Sequence, residues 1–177
     1  MIIDFPCGRQ TFDYDCGAKS LQMVLAYYGL DVREDGLIVK LNSGDHGTYV
    51  KDIEAVARDL GFKVTVAGAG TAEIIRRYID ARQPVIVLLQ AWSEHKMTAA
   101  EWAATNQHGH YVVVIGYEND RFIFADPSSF PRCWLTETEF IARWHFTTPD
   151  GKISLDRYYI VLQGREPVDF KGMVHMD

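Results

Sequence analysis

Asp15-Cys16-Gly17-Ala18-Lys19-Ser20-Leu21-Gln22-Met23-Val24-Leu25-Ala26-Tyr27-Tyr28-Gly29 is the stretch on which the fold turns. Leu21, Val24, Leu25 and Tyr28 recur at spacings of three and four, which puts them on one face of a helix. Gly29 supplies the stop. Asp13 and Asp15 stand just before the helix, where a carboxylate can cap the free amides of the first turn. A cysteine therefore opens the helix. Gly17 follows it and lets the backbone approach a substrate closely.

Outward from this helix the pattern is mixed. Residues 33–42 read as a second short helix, and 42–47 as a loop. Thr48 reads as the cap of a helix through Leu60, with Ile53, Val56, Ala57 and Leu60 on one face and Gly61 as its stop. Residues 62–67 alternate like a strand, and Thr71 reads as the cap of a helix to about Arg82. Pro84 to Ala91 has the composition of a buried strand. Residues 92–108, carrying Trp92, His95, Trp102 and His108, look less regular. Tyr111 to Tyr117 and Arg121 to Ala125 read as strands joined by a hairpin turn at Glu118-Asn119-Asp120. Thr136-Glu137-Thr138-Glu139 has the form of a capping box opening a helix to about Trp144. Tyr158 to Leu162 reads as a last strand, and the tail after Gly164 as loose. With no repeat, low-complexity tract or linker, residues 1–177 are expected to form one α+β domain: helices first, then a mostly antiparallel sheet.

Bulk properties narrow the function. Hydrophobic residues make up 47% and charged residues 24% of the 177, as in ordinary globular proteins. The net charge of −6 and the lack of a basic cluster argue against nucleic-acid binding. Arg76-Arg77, the one adjacent basic pair, reads as a solvated helix face. The longest apolar run, Pro84 to Leu89, is far too short to span a membrane, and residues 1–9 lack a signal-peptide pattern. The three cysteines, Cys7, Cys16 and Cys133, are too few and too widely spaced for a disulfide framework or a zinc knuckle. Reduced thiols in a cytoplasmic setting are expected, and no cofactor is called for.

The chemistry points to Cys16. A thiol attacks as its thiolate, and a helix N-terminus and a neighbouring histidine both favour that form. Gln10, six residues upstream, can aim a side-chain N–H at the oxygen that turns negative during attack, beside the Cys16 amide. Each residue also has a plainer reading. Cys16 fits a small core residue, and Gln10 fits a surface loop. His110 fits a satisfied strand histidine, or a metal ligand together with His108 two residues away. Asp126, before Pro127, fits a turn. Cys7 and Cys133 read as structural or merely exposed, and the four tryptophans as core or rim packing.

Taken together, Gln10, Asp15-Cys16-Gly17, Leu21 to Leu25 and Tyr27-Tyr28-Gly29 resemble the signature of the bacteriocin-processing peptidases. These are papain-like cysteine peptidases that cut after a double-glycine motif. The similarity continues through Gly47-Thr48, Leu60-Gly61-Phe62, Pro84 to Val87, His110 to Val114 and Asp126-Pro127. The resemblance implies a papain-like fold with Cys16 as nucleophile, His110 as general base and acid, Asp126 as its orienting partner and Gln10 as oxyanion donor. It implies a peptide or protein substrate and association with an export transporter not encoded in this chain. Lys19 and Ser20 depart from the small or apolar residues common after the cysteine.

A regular hairpin would keep His110 and Asp126 apart. With a two-residue turn at Asn119-Asp120, Glu118 faces Arg121 and Asp126 faces Val113. Val113 points to the sheet face opposite His110. Contact requires a bulge or a longer turn that shifts the register by one, together with twist or a bend.

The leading expectation is peptide-bond hydrolysis through an acyl-enzyme. The same thiol chemistry also supports acyl transfer to an amine, or hydrolysis of a small amide. A third class is a catalytically idle peptide-binding module, as in transporter-linked relatives that lack the cysteine.

Overall fold

The computed structural model describes residues 1–148, 150–169, 173 and 175–176. The opening stretch is helical as its spacing predicts: α1 spans Cys16–Tyr27. α2 (Glu34–Lys40) and α3 (Val50–Asp59) follow. Then come β1 (Lys63–Ala67), α4 (Ala72–Asp80), β2 (Val85–Gln90) and α5 (Ala99–Ala104). The remainder is β3 (Gly109–Glu118), β4 (Arg121–Ala125), β5 (Cys133–Thr136), α6 (Glu137–Arg143), β6 (His145–Thr147), β7 (Ser154–Asp156) and β8 (Tyr159–Gln163).

One six-stranded sheet, ordered β1-β8-β2-β3-β4-β5, is antiparallel at every pairing, and β6 and β7 pair separately. β2 is central and buried along its whole length, which explains its unbroken apolar run. Its one polar residue, Gln90, closes the strand. The Gln90 side chain accepts from His108 N at 2.9 Å and donates to His145 O at 3.0 Å. α1 packs across β3, and Tyr28 of the same turn donates to Leu162 O. Leu21, Val24 and Leu25 are fully buried beneath it.

Local capping chemistry is mostly as read. The Thr71 hydroxyl accepts from Ile74 N, and both halves of the Thr136–Glu139 capping box are formed. Four details differ. Thr48 does not cap α3: its hydroxyl is engaged with Ser43 Oγ at 2.7 Å, and the helix starts after Tyr49. Residues 92–108 are not wholly irregular, since α5 lies within them behind its own Thr98–Glu101 capping box. β5, β6 and β7 were not legible, being only three or four residues long and half-exposed. Beyond Gly164, Val168 N is bonded to Tyr27 O at 3.0 Å, so this part of the tail is pinned to α1. Residues 170–172, 174 and 177 lie outside the described residues.

Candidate active site

β3 and β4 form the hairpin turning at Asn119, whose φ of 54° suits the tight turn. From the turn the pairing runs Glu118 with Arg121, Tyr117 with Phe122 and Gly116 with Ile123. It then skips Ile115 and resumes as Val114 with Phe124 and Val113 with Ala125. The bulge at Ile115 supplies the one-residue shift that contact requires. Asp126 thereby follows on the face shared by His110 rather than the opposite one. The distortion is held from outside: Ile3 N donates to Ile115 O at 2.7 Å, and Tyr117 N donates to Met1 O at 2.8 Å. Gly116 leaves room for this segment, since a Cβ there would lie 2.8 Å from Met1 O and 2.9 Å from Ile2 Cα.

The result is a buried His110–Asp126 pair with Nε2 and Oδ1 2.7 Å apart. The carboxylate is held on both oxygens. Oδ1 also accepts from Ser128 N at 2.7 Å, and Oδ2 accepts from Trp92 Nε1 at 2.9 Å. Burial pushes the Asp126 carboxyl upward, but His110 and these donors hold it below the ordinary carboxylate value. Burial likewise pushes the His110 imidazole down. Its bond to Asp126, and then the influence of the Cys16 side chain, outweigh this and raise it to about 9. With Nε2 given to Asp126, Nδ1 is the nitrogen left for the Cys16 sulfur. Cys16, in the first turn of α1, is one of the groups that raise the His110 imidazole on β3.

The N-terminus of α1 is arranged differently from the sequence expectation. Asp15 occupies the cap position, yet its side chain makes no capping bond to the helix. The carboxylate is fully buried and turns back to accept from Thr11 N and Phe12 N at 3.2 Å. Burial raises its pKa despite those two amides, and Glu34 adds to the rise. The first-turn amides of α1 are therefore free of any side-chain cap. Free amides at a helix N-terminus favour negative charge placed beside them.

Gln10 is tied to the segment that follows Asp126. Its backbone N–H donates to Pro127 O at 2.9 Å, one residue beyond Asp126. Its side-chain oxygen accepts from Ser128 Oγ at 3.0 Å, and Nε2 donates to Phe12 O at 2.6 Å. A carbonyl cannot donate, so this network fixes the amide orientation and leaves one Nε2 hydrogen unassigned.

The departures at residues 19 and 20 now have a setting. Lys19 lies almost wholly inside, paired to Glu34 at 2.9 Å and bonded to Gln22 Oε1 at 2.7 Å. Glu34 also accepts from Thr11 Oγ1 at 2.8 Å. A buried ion pair thus ties α1 and α2 to the loop that carries Gln10. The buried Ser20 hydroxyl has no hydrogen-bond partner among the described residues, and nothing in the structure explains it.

Gly17 has a reason other than substrate approach. A Cβ there would sit 2.7 Å from Thr48 Cβ and 3.1 Å from the Tyr111 ring. The close approach is to the protein's own loop, where Tyr111 OH donates to Thr48 O at 3.0 Å. Cys16, Tyr111, Leu88 and Gly109 line an open groove of about 1200 Å³ that runs up to the sulfur.

His108 does not join a metal cluster. Its ring packs edge-on against Trp102, and no group of three or more His, Cys, Asp or Glu is arranged to hold a metal among the described residues. All three cysteines are free, Cys7 exposed and Cys133 half-buried. Trp102 and Trp144 are core residues as expected, and Trp134 lies exposed under the Arg121 guanidinium. Trp92 was missed as a site residue, because nothing in the sequence marks an indole as the partner of a carboxylate 34 residues away.

The sequence profile of the Peptidase C39 family matches residues 4–148, a span that holds Gln10, Cys16, His110 and Asp126 alike. The chain belongs to the peptidase C39 family. It is a cysteine-type peptidase. Solved structures agree with this C39 assignment. The peptidase domain of Streptococcus ComA, a bifunctional ABC transporter of a quorum-sensing pathway, is 23% identical. It covers 88% of this chain and 96% of its own, with a TM-score of 0.65. A C39-like peptidase from Bacillus anthracis is 17% identical over 93% of this chain and 98% of its own, at 0.69. A double-glycine motif protease from an AMS/PCAT transporter, solved with its leader peptide, is 19% identical over 91% and 92%, at 0.61. At such identities the likeness shows the fold: helices on an antiparallel sheet, as in other C39 peptidase domains. No curated protein matches this C39 peptidase. None of its described helices is long and apolar enough to cross a membrane.

Proposed function

We propose that the chain cleaves peptide bonds through a triad of Cys16, His110 and Asp126, with double-glycine leader peptides as substrates. One observation carries this reading: a single buried imidazole is held by Asp126 at 2.7 Å on one nitrogen, and the Cys16 side chain is among the groups that raise its pKa.

In the proposed cycle, His110 Nδ1 takes the thiol proton and Cys16 Sγ attacks the scissile carbonyl carbon. The oxyanion accepts from the Cys16 backbone N–H and from the remaining Nε2 hydrogen of Gln10. The C–N bond then breaks as the imidazolium gives its proton to the departing nitrogen, leaving a thioester on Cys16. Water attacks the thioester, His110 takes its proton and returns it to sulfur, and the carboxylic acid departs. Asp126 remains a carboxylate throughout. It fixes the ring tautomer and stabilises the imidazolium, a role its three donors favour by keeping it ionised.

The groove that ends at Cys16 supports an extended peptide as substrate. The whole of residues 1–177 acts as one peptidase domain in this reading, since the core runs from Ile3 to Leu162. An export transporter is the proposed partner, because ComA and the PCAT protein are transporters carrying such a domain.

The test is incubation with leader peptides ending in Gly-Gly, with products identified by mass spectrometry. Cleavage after the second glycine is expected, with substrate protecting Cys16 from alkylation. Ligated products on adding amines would move the assignment to acyl transfer, and binding without turnover would move it to an idle module. Undiminished cleavage by Cys16→Ala would overturn the triad.

A further inference from the structure

Lys19 and Glu34 form an ion pair, with side chains only 11% and 15% exposed, that the proposed chemistry leaves unused. Burying such a pair is a weak source of stability, because the desolvation of two charges offsets most of their attraction. Apolar residues of similar size in the same two places would often hold a fold as well. Glu34 is also poorly satisfied for a structural carboxylate. Oε2 serves both Lys19 and Thr11, while Oε1 is buried with no partner among the described residues. A pair kept under these conditions calls for a role besides stability.

What the pair touches says which role. The loop carrying Gln10 meets it on both sides of that residue. Before Gln10, a Cβ at Gly8 would lie 3.3 Å from Lys19 Cδ, and Gly8 N donates to Met23 Sδ at 3.1 Å, one turn further along α1. After Gln10, Thr11 Oγ1 donates to Glu34 Oε2 at 2.8 Å, the same oxygen that faces Lys19 Nζ at 2.9 Å. The ammonium is fixed in turn by Gln22 Oε1 at 2.7 Å, and Gln22 Nε2 donates to Val32 O at 2.8 Å, just before Glu34. Lys19, Gln22 and Glu34 thus close a ring between α1 and the start of α2. The loop rests on that ring at Gly8 and is bonded to it at Thr11. Asp15 holds the Thr11 and Phe12 amides, and Glu34 stands close enough to raise the Asp15 carboxyl. Without Lys19 as countercharge, two like charges would repel each other beside the loop.

We propose that Lys19 and Glu34 are positioning residues: through Gly8 and Thr11 the pair holds the Gln10 side chain where the oxyanion forms. This rests on the reading of Gln10 as an oxyanion donor and adds to it the residues that keep that donor in place. A misplacement of about 1 Å can cost on the order of 100-fold in rate, so a rigid ring under the loop acts on the chemical step.

The experiment uses the full chain and the Gly-Gly leader peptides of the cleavage test. Lys19→Met combined with Glu34→Leu removes both charges together, so no unpaired charge stays inside and the fold is expected to hold. Thr11→Val cuts the link and leaves the pair in place. Each change should lower kcat by roughly 10- to 100-fold, with KM moved by about 2-fold or less. Lys19→Met combined with Glu34→Gln returns an acceptor to Thr11 and should recover most of the loss. In a Gln10→Ala background the same changes should cost only about 2-fold or less, because residues that act through one group are not additive with its removal. Without any substrate, the Gln10 side-chain amide resonances should shift and broaden in Thr11→Val while the His110 ring resonances stay in place. A native kcat in Thr11→Val, or an equal loss in the Gln10→Ala background, overturns the proposal. Thr11→Val decides the matter if the double variant unfolds, and unmoved Gln10 amide resonances overturn the proposal if no leader peptide is cut. Native turnover by Gln10→Ala would instead sink the oxyanion assignment itself, whereas a slow Gln10→Ala beside a native-like Thr11→Val would sink the positioning role alone.

Discussion

Asp126 Oδ1 lies 2.7 Å from His110 Nε2 because Ile115, between them in sequence, is pushed out of the β3–β4 ladder. Without that extra residue the alternation of side chains would aim the two groups at opposite faces. Deleting Ile115 should restore the regular ladder and remove activity while the sheet persists by circular dichroism. Asp126→Asn makes the same point without touching the backbone. It should lower kcat by about 100-fold or more, since an orienting carboxylate is lost. Near-normal turnover by Asp126→Asn would show that the contact is structural.

The His110 imidazole, raised from 6.5 to about 9, makes a pH prediction. A base whose folded value is raised contributes its full stabilisation below its unfolded value, and that contribution disappears as pH climbs through the folded one. Asp126 behaves oppositely. Held below its ordinary 3.8, it contributes fully above that value and loses the contribution in acid. The thermal midpoint should therefore be highest between about pH 4 and 6.5 and fall toward about pH 9. The alkaline fall should be shallower in Asp126→Asn. In Cys16→Ala the His110 ring should titrate lower, because one of the contacts that raise it is gone. Ring resonances followed by NMR against pH read this directly, and an unmoved titration would deny the thiol–imidazole contact.

The loop carrying Gln10 should be separable from the thiol pair. Gln10→Ala removes a proposed oxyanion donor and is expected to lower kcat by about 100- to 1,000-fold. Asp15→Ala leaves the Thr11 and Phe12 amides without their acceptor, at a cost of about 1–3 kcal/mol for each one that stays buried. It should lower kcat by roughly 10-fold with little change in KM, because small displacements of a catalytic group are felt in the chemical step. In both variants small alkylating reagents should still label Cys16 at the native rate. A matching loss of labelling would mean that the loop supports the thiol itself.

Gly17→Ala tests packing rather than catalysis. The new methyl would fall 2.7 Å from Thr48 Cβ, inside any tolerable contact. Overpacking of this kind costs about 1–3 kcal/mol. Denaturant unfolding should show that loss in the midpoint with an unchanged slope. Native stability in the variant would mean that the 43–48 loop yields freely.

The sequence revealed what short-range chemistry controls. The spacing of Leu21, Val24, Leu25 and Tyr28, the capping box at Thr136 and the turn at Asn119 each act within a few residues, and each was legible. The register argument went further, since it required a shift of one residue before the bulge was seen. What stayed hidden depends on distant partners. Asp15 would cap α1 by local preference, but the Thr11 and Phe12 amides compete for the same carboxylate and win. Thr48 is drawn away from α3 by Ser43. Trp92 reads as packing until the fold brings Asp126 to its N–H.

The strap formed by the first ten residues has a consequence for how the enzyme comes to life. It starts on the bulge at Ile115 and ends where Gln10 meets Ser128, a partner 118 residues further along the chain. His110 and Asp126 are separated by only 16 positions along the chain, so the hairpin that unites them can close early. The Cys16 helix and the loop carrying Gln10 have no hairpin to join until that distant segment exists. In the proposed triad the sulfur therefore stays unarmed until the segment from His110 to Ser128 has been made.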